Sequence, residues 1–166
     1  MTLTDRHLDQ SFDPSTDLVL ERVIDVPRDL VWTAWTQPEH LKQWFTPAPY
    51  TTPECEIDLR PGGRFRWTNR SPEGEEGEYV ACYLDIITQE RLVWTNLLGP
   101  GFRPLPLPEL AFTAVISMAS LGPSSTRYTA TAMHPTPAIA AHHAELGFAE
   151  GWGAALDQLV DLARRG

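Results

Sequence analysis

Cysteine is nearly absent from this chain: there are two in 166 residues, Cys55 and Cys82. Each falls in an apolar, strand-like run, where a free thiol behaves as a small hydrophobe, so reduced, structural cysteines are expected rather than a disulfide. No stretch approaches the ~20 apolar residues of a membrane span. Residues 1–16 lack a basic start followed by an apolar run, so no signal peptide and a cytoplasmic location are expected. Positive charge is scarce, with 13 basic against 22 acidic residues and a net charge of −9. Apart from Arg164 and Arg165 the basic residues are scattered. Nucleic acid and anionic membranes need a concentrated positive footprint, so neither is expected as a partner. Also missing are Cys-x-x-Cys, His-Glu-x-x-His and the Gly-x-Ser-x-Gly elbow, which leaves nucleophilic catalysis little support and no metal expected. Gly62-Gly63 lacks the helix and spacing of a phosphate cradle, so no nucleotide or other cofactor is implied.

What is present is ordinary globular material, 42% hydrophobic and 21% charged, in a chain long enough to bury roughly 70% of its unfolded surface. Residues 1–16 are polar and read as a frayed tail without a packing role, leaving one domain over 17–166. Residues 18–26 are β-branched and alternate, which predicts a strand ended by Pro27. Helical spacing follows at 28–36, and Pro38 separates it from a second short helix at 39–44. Alternation then predicts strands at 55–59 and 64–69, joined by a turn at Pro61-Gly62-Gly63 that needs positive φ. Two further strands are expected at 78–87 and 91–98, and a last pair at 109–119 and 126–134. Residues 99–108 hold four prolines and two glycines, so they are expected as an irregular loop. From Pro137 the period becomes helical, with Ala138, His142, Glu145, Ala149, Trp152, Leu156, Leu159 and Ala163 on one stripe of a single helix of over twenty residues.

Most strand connections are too short for a parallel crossover, so the sheet must be mainly antiparallel. The class is α+β: a curved seven-stranded antiparallel sheet around a long C-terminal helix, with two short helices after the first strand. Such a sheet leaves a space near one end of the helix, expected beneath residues 100–108.

Four motifs occur in order: VPRDLVWTAWTQPEHLKQWF at 26–45, EIDLRPGGRF at 56–65, RLVWT at 91–95, and Gly151-Trp152. Together they resemble the bacterial relatives of the activator of heat-shock-protein ATPase, within the superfamily that holds START domains and polyketide cyclases. The resemblance runs from about 17 to 164 and implies the helix-grip fold, with the same β-α-α-β₆-α order. It brings a link to stress response as an expectation, but does not transfer the co-chaperone role of the larger activator, because single-domain members resemble only one part of it.

Trp35, Trp44, Phe65, Trp67, Trp94 and Phe112 sit in elements expected to face or rim the interior, as do Phe148 and Trp152 on the long helix. Core packing accounts for most of them, yet aromatic walls also suit planar or apolar ligands. Gly151 and Trp152 are expected to make a close helix-to-sheet contact. His134 ends the last strand, while His142 and Glu145 lie on the inward stripe, three residues apart and pointing nearly the same way. If the helix crosses that strand end, the three meet at the cavity mouth as ligand contacts or as an acid/base pair. Three functions fit these residues. The first is a small-molecule binding protein for a hydrophobic or aromatic ligand. The second is a cyclase, dehydratase or hydrolase using His134, His142 or Glu145, and the third is a co-chaperone-like or regulatory interaction module. Homodimerisation through a sheet edge or the long loop fits any of them.

Overall fold

The computed structural model describes residues 12–165. Residues 1–11 of the expected tail lie outside them, and residues 12–15 are exposed, although hydrogen bonds close a turn at 13–17. Asp13 accepts the Ser15 backbone N–H on its carboxylate at 2.9 Å, and its carbonyl accepts the Thr16 and Asp17 N–H groups, as a short acidic side chain does at a turn. Strand β1 (Asp17–Ile24) leaves this turn. Pro27 ends the extended run and leads into α1 (Arg28–Thr36), and Pro38 opens the short α2 (Pro38–Leu41). The strands that follow are β2 (Cys55–Ile57), β3 (Arg64–Arg70), β4 (Glu76–Ile87) and β5 (Arg91–Thr95).

The Pro-rich segment is more regular than expected. Leu98–Gly99 (β6) and Arg103–Pro104 (β7) form a two-stranded ribbon around a 3-10 turn at Pro100–Phe102. The Leu105 N–H donates back to the Leu97 carbonyl at 3.2 Å, a bond that the flanking prolines cannot make. Strands β8 (Thr113–Gly122) and β9 (Ser125–Met133) complete the main sheet. Its order is β1-β9-β8-β5-β4-β3-β2, with every pairing antiparallel, as the short connections require.

One face of this sheet carries the core. Phe65, Ala81, Tyr83, Leu92, Trp94, Ala114, Ile116, Met118, Tyr128, Ala130 and Ala132 alternate inward along β3, β4, β5, β8 and β9. Alanines on β8 and β9 leave room for a helix, while aromatics on β3 to β5 fill the other half. The turn into β3 needs its glycines: Gly62 has φ +81, and a Cβ on Gly63 would lie 1.9 Å from the Asp58 carbonyl oxygen.

The helical segment after Pro137 is two helices, not one. Helix α3 (Pro137–Glu145) is capped by Thr136, whose hydroxyl accepts the Ile139 N–H at 3.2 Å. Gly147 then takes φ +95, a left-handed conformation that ends helices and favours glycine. Helix α4 (Phe148–Arg165) restarts beyond it and runs 18 residues over the sheet. It buries Phe148, Ala155, Leu156 and Leu159. Arg22 on β1 anchors α4 through the Gly153 carbonyl at 2.7 Å and Asp157 at 2.6 Å. Gly151, expected at a close helix-to-sheet contact, has nothing within 4 Å of where its Cβ would lie, so the tight position is Gly153.

Candidate functional site

The aromatic side chains form one continuous body inside the sheet. Trp35 meets Trp44 at a ring-centroid distance of 4.9 Å and Phe45 at 5.7 Å. Phe45 meets Phe65 at 5.6 Å, Phe65 meets Trp94 at 5.2 Å, and Trp94 meets Phe112 at 5.6 Å. Phe112 reaches Trp152 at 5.9 Å, and Trp152 meets Phe148 at 4.6 Å. Trp67 joins this chain on Phe65 and stacks outward on the half-exposed Tyr79. These spacings are those of packed ring pairs. Much of the expected aromatic lining is therefore spent on contacts between rings, and Phe45 and Tyr83 belong to it although the spacing alone did not single them out.

The indole N–H groups differ in a way that bears on function. Trp35 donates to the Tyr128 hydroxyl at 3.2 Å, and Trp44 donates to the Ala34 carbonyl at 2.9 Å. Trp94, only 2% exposed, has a buried Nε1 without a hydrogen-bond partner among the described residues. Its neighbours Phe65, Trp67 and Phe112 offer ring faces, which are weaker acceptors than oxygen.

The expected polar cluster assembles differently. His134 is buried at the end of β9, and its Nδ1 lies 2.7 Å from the Thr16 carbonyl oxygen. Its Nε2 lies 2.8 Å from Nδ1 of His143, not of His142. His142 is half-buried and sits 3.7 Å from the exposed Glu109, while Glu145 is exposed. The break at Gly147 is the cause. The stripe of Trp152, Leu156 and Leu159, carried backward through an unbroken helix, turns His142 and Glu145 inward. With the helix restarted, the inward face of α3 is Ala140 and His143, about a third of a turn away. A glycine just beyond a helical run is the sequence signal that marks such an end.

His143 completes an aromatic corner, with ring centroids 5.2 Å from Phe112, 5.2 Å from Phe148 and 5.9 Å from Trp152. Burial, and then the neighbouring His134 and His142 rings, which disfavour a second proton beside them, pull its pKa down to about 4. It is neutral at neutral pH, and too weak a base for the acid/base role envisaged for this corner. Burial also pushes the Cys55 thiol up to about 12, which makes it unreactive. Cys55 and Cys82 are both free thiols.

Beneath the Pro-rich segment there is a cleft of about 380 Å³. Its walls are Glu56, Asp58, Arg60 and Arg64 with Gly62, Pro100 and Phe102, not tryptophan. Arg60 pairs with Asp58 at 2.8 Å and Arg64 with Glu56 at 3.6 Å, so the charges there largely satisfy one another. Among the described residues no group of three or more His, Cys, Asp or Glu is placed to hold a metal, and no helix is long and apolar enough to cross a membrane.

A curved antiparallel sheet gripping a terminal helix, with aromatic side chains between them, defines a helix-grip protein. Residues 25–164 match the family described as Activator of Hsp90 ATPase homolog 1-like protein, and the chain belongs to that family. A crystal structure of a protein from Nitrosomonas europaea is 42% identical, covers 93% of this chain and 97% of its own, and superposes with a TM-score of 0.88. A Mycobacterium smegmatis protein is 21% identical over 89% of this chain and 90% of its own, with a TM-score of 0.73. An AHSA1-like protein from Aeromonas hydrophila is 18% identical over 90% of this chain and 92% of its own, with a TM-score of 0.65. The last two speak for the fold alone. No curated protein matches the chain.

Proposed function

We propose that this chain binds a small apolar or aromatic molecule between the inner face of the sheet and α4. The observation that supports this is the Trp94 indole N–H. Among the described residues it is buried without an acceptor at the centre of the aromatic body, whereas Trp35 and Trp44 are satisfied. A buried donor left unpaired costs about 1–3 kcal/mol, so such groups in folded proteins call for an explanation. A ligand carbonyl or ether oxygen reaching Nε1 supplies one. Entry requires the corner of Phe112, Phe148 and Trp152 to move, and the α3–α4 elbow at Gly147 adjoins that corner.

Thermal-shift and native mass-spectrometric titration with 1-acetonaphthone, which carries an acceptor, and with 1-ethylnaphthalene, which carries none, tests this. The ketone is expected to bind more tightly, and Trp94→Phe to abolish the difference while keeping the fold. If neither compound binds the wild-type protein, or Trp94→Phe discriminates as the wild type does, the proposal fails.

A further inference from the structure

The histidine pair fixes the polarity of the same corner, and this inference rests on the binding role just proposed. A backbone carbonyl only accepts, so the 2.7 Å contact with Thr16 places a proton on His134 Nδ1. The 2.8 Å contact between His134 Nε2 and His143 Nδ1 then needs one donor and one acceptor. A charged His134 donating through Nε2 would put an unpaired cation into a ring only 6% exposed, with no carboxylate bonded to it among the described residues, and burial of that kind is strongly disfavoured. The remaining arrangement has His143 Nδ1–H donating to His134 Nε2. That leaves His143 Nε2, on the far side of the ring, as an unprotonated acceptor. Among the described residues it makes no hydrogen bond; unlike Trp94 Nε1 it is not fully buried, so it opens to solvent at the edge of a ring that lies against Phe112, Phe148 and Trp152.

We infer that His143 Nε2 is a ligand-recognising atom that selects a neutral hydroxyl donor on an aromatic ligand, and that His134 is the positioning residue that holds it in the accepting tautomer. The charged residues of this corner argue against an anion: Glu109 lies beside His142, and Glu145 and Glu150 flank the elbow. A carboxylate ligand would meet like charge there, and a protonated amine would have to bury its own charge among the rings. A hydroxyl meets neither cost. Combined with Trp94, the ligand presents a donor towards His143 and an acceptor towards the indole.

Two measurements test this on the intact protein. The first uses ¹⁵N-histidine NMR at pH 7, in which His134 and His143 should both carry the proton on Nδ1. A proton on Nε2 of His143 overturns the inference whatever binds. The second compares 2-naphthol with 2-methoxynaphthalene, in which one added methyl group removes the donor and keeps the acceptor oxygen. The naphthol is expected to bind about tenfold more tightly, on the scale of one hydrogen bond. His143→Phe should remove that preference. His134→Phe should reduce it and release the His143 tautomer, while His134→Gln, which keeps an acceptor, should restore both. Equal affinity of the two probes for the wild type overturns the role of His143 and leaves the binding proposal standing, whereas failure of both to bind takes down the two together.

Discussion

A neutral histidine inside an aromatic corner makes stability depend on pH in a defined direction. Free histidine takes up its proton near pH 6.5, but folded His143 does so only near 4. Between those values the unfolded chain holds the extra proton, so stability is full above about 6.5 and falls as the pH drops towards 4. Partial solvent contact limits the loss to about 1–2 kcal/mol, below what the whole shift corresponds to. Urea unfolding at pH 7, 5.5 and 4.5 should show a steeper acid decline in the wild type than in His143→Gln, and parallel declines would mean that the ring is solvated. The tryptophans divide at the same scale. Trp35 and Trp44 spend both ring and N–H on the fold, whereas Trp94 spends only its ring.

The elements are where glycine decides the sign of a substitution. Gly147 holds φ +95, so Gly147→Ala should cost about 1–2 kcal/mol. Gly151 lies inside α4 with open space around it, so Gly151→Ala should stabilise by roughly 0.5–1 kcal/mol. Thermal melts of the two variants should move in opposite directions, and a loss in both would mean that Gly151 is packed after all. Gly63→Ala has no such margin, because its Cβ would overlap the Asp58 carbonyl. Little or no folded protein on expression is expected, against normal yield for Gly151→Ala. These positions also explain what the sequence made legible. Strands showed through alternation, and their ends through Pro27 and Pro61-Gly62-Gly63. Inward Phe65, Trp67, Trp94 and Phe112 followed from that alternation. The ribbon at 98–104 was hidden because prolines erase the period of a strand. His143 was hidden because Gly147 permits a helical period to run on in sequence while the backbone breaks it in space.

At the scale of the molecule, one side chain fastens α4 to the far end of the helical layer. Gln158 donates through Nε2 to the carbonyls of Trp44 and Thr46, both at 2.9 Å, and its Oε1 accepts the Ala48 N–H at 2.8 Å. The link spans more than a hundred residues of sequence, which no local pattern could announce. It closes the α2 end of the aromatic body, opposite the histidine corner, so the two ends of the interior are held by different means. A three-bond tie holds one, and a glycine elbow with a single histidine bond holds the other. If ligand entry uses the elbow, loosening the tie should weaken the fold without opening the site. Gln158→Leu keeps the apolar stem, removes all three bonds and should cost about 1–3 kcal/mol. Hydrogen exchange should quicken at Ala48 and its neighbours while β8 and β9 stay protected, and the naphthol affinity should not change. Faster exchange at Gly147 and Phe148 as well, accompanied by altered affinity, would mean that the two ends move as one body and that entry is not confined to the elbow.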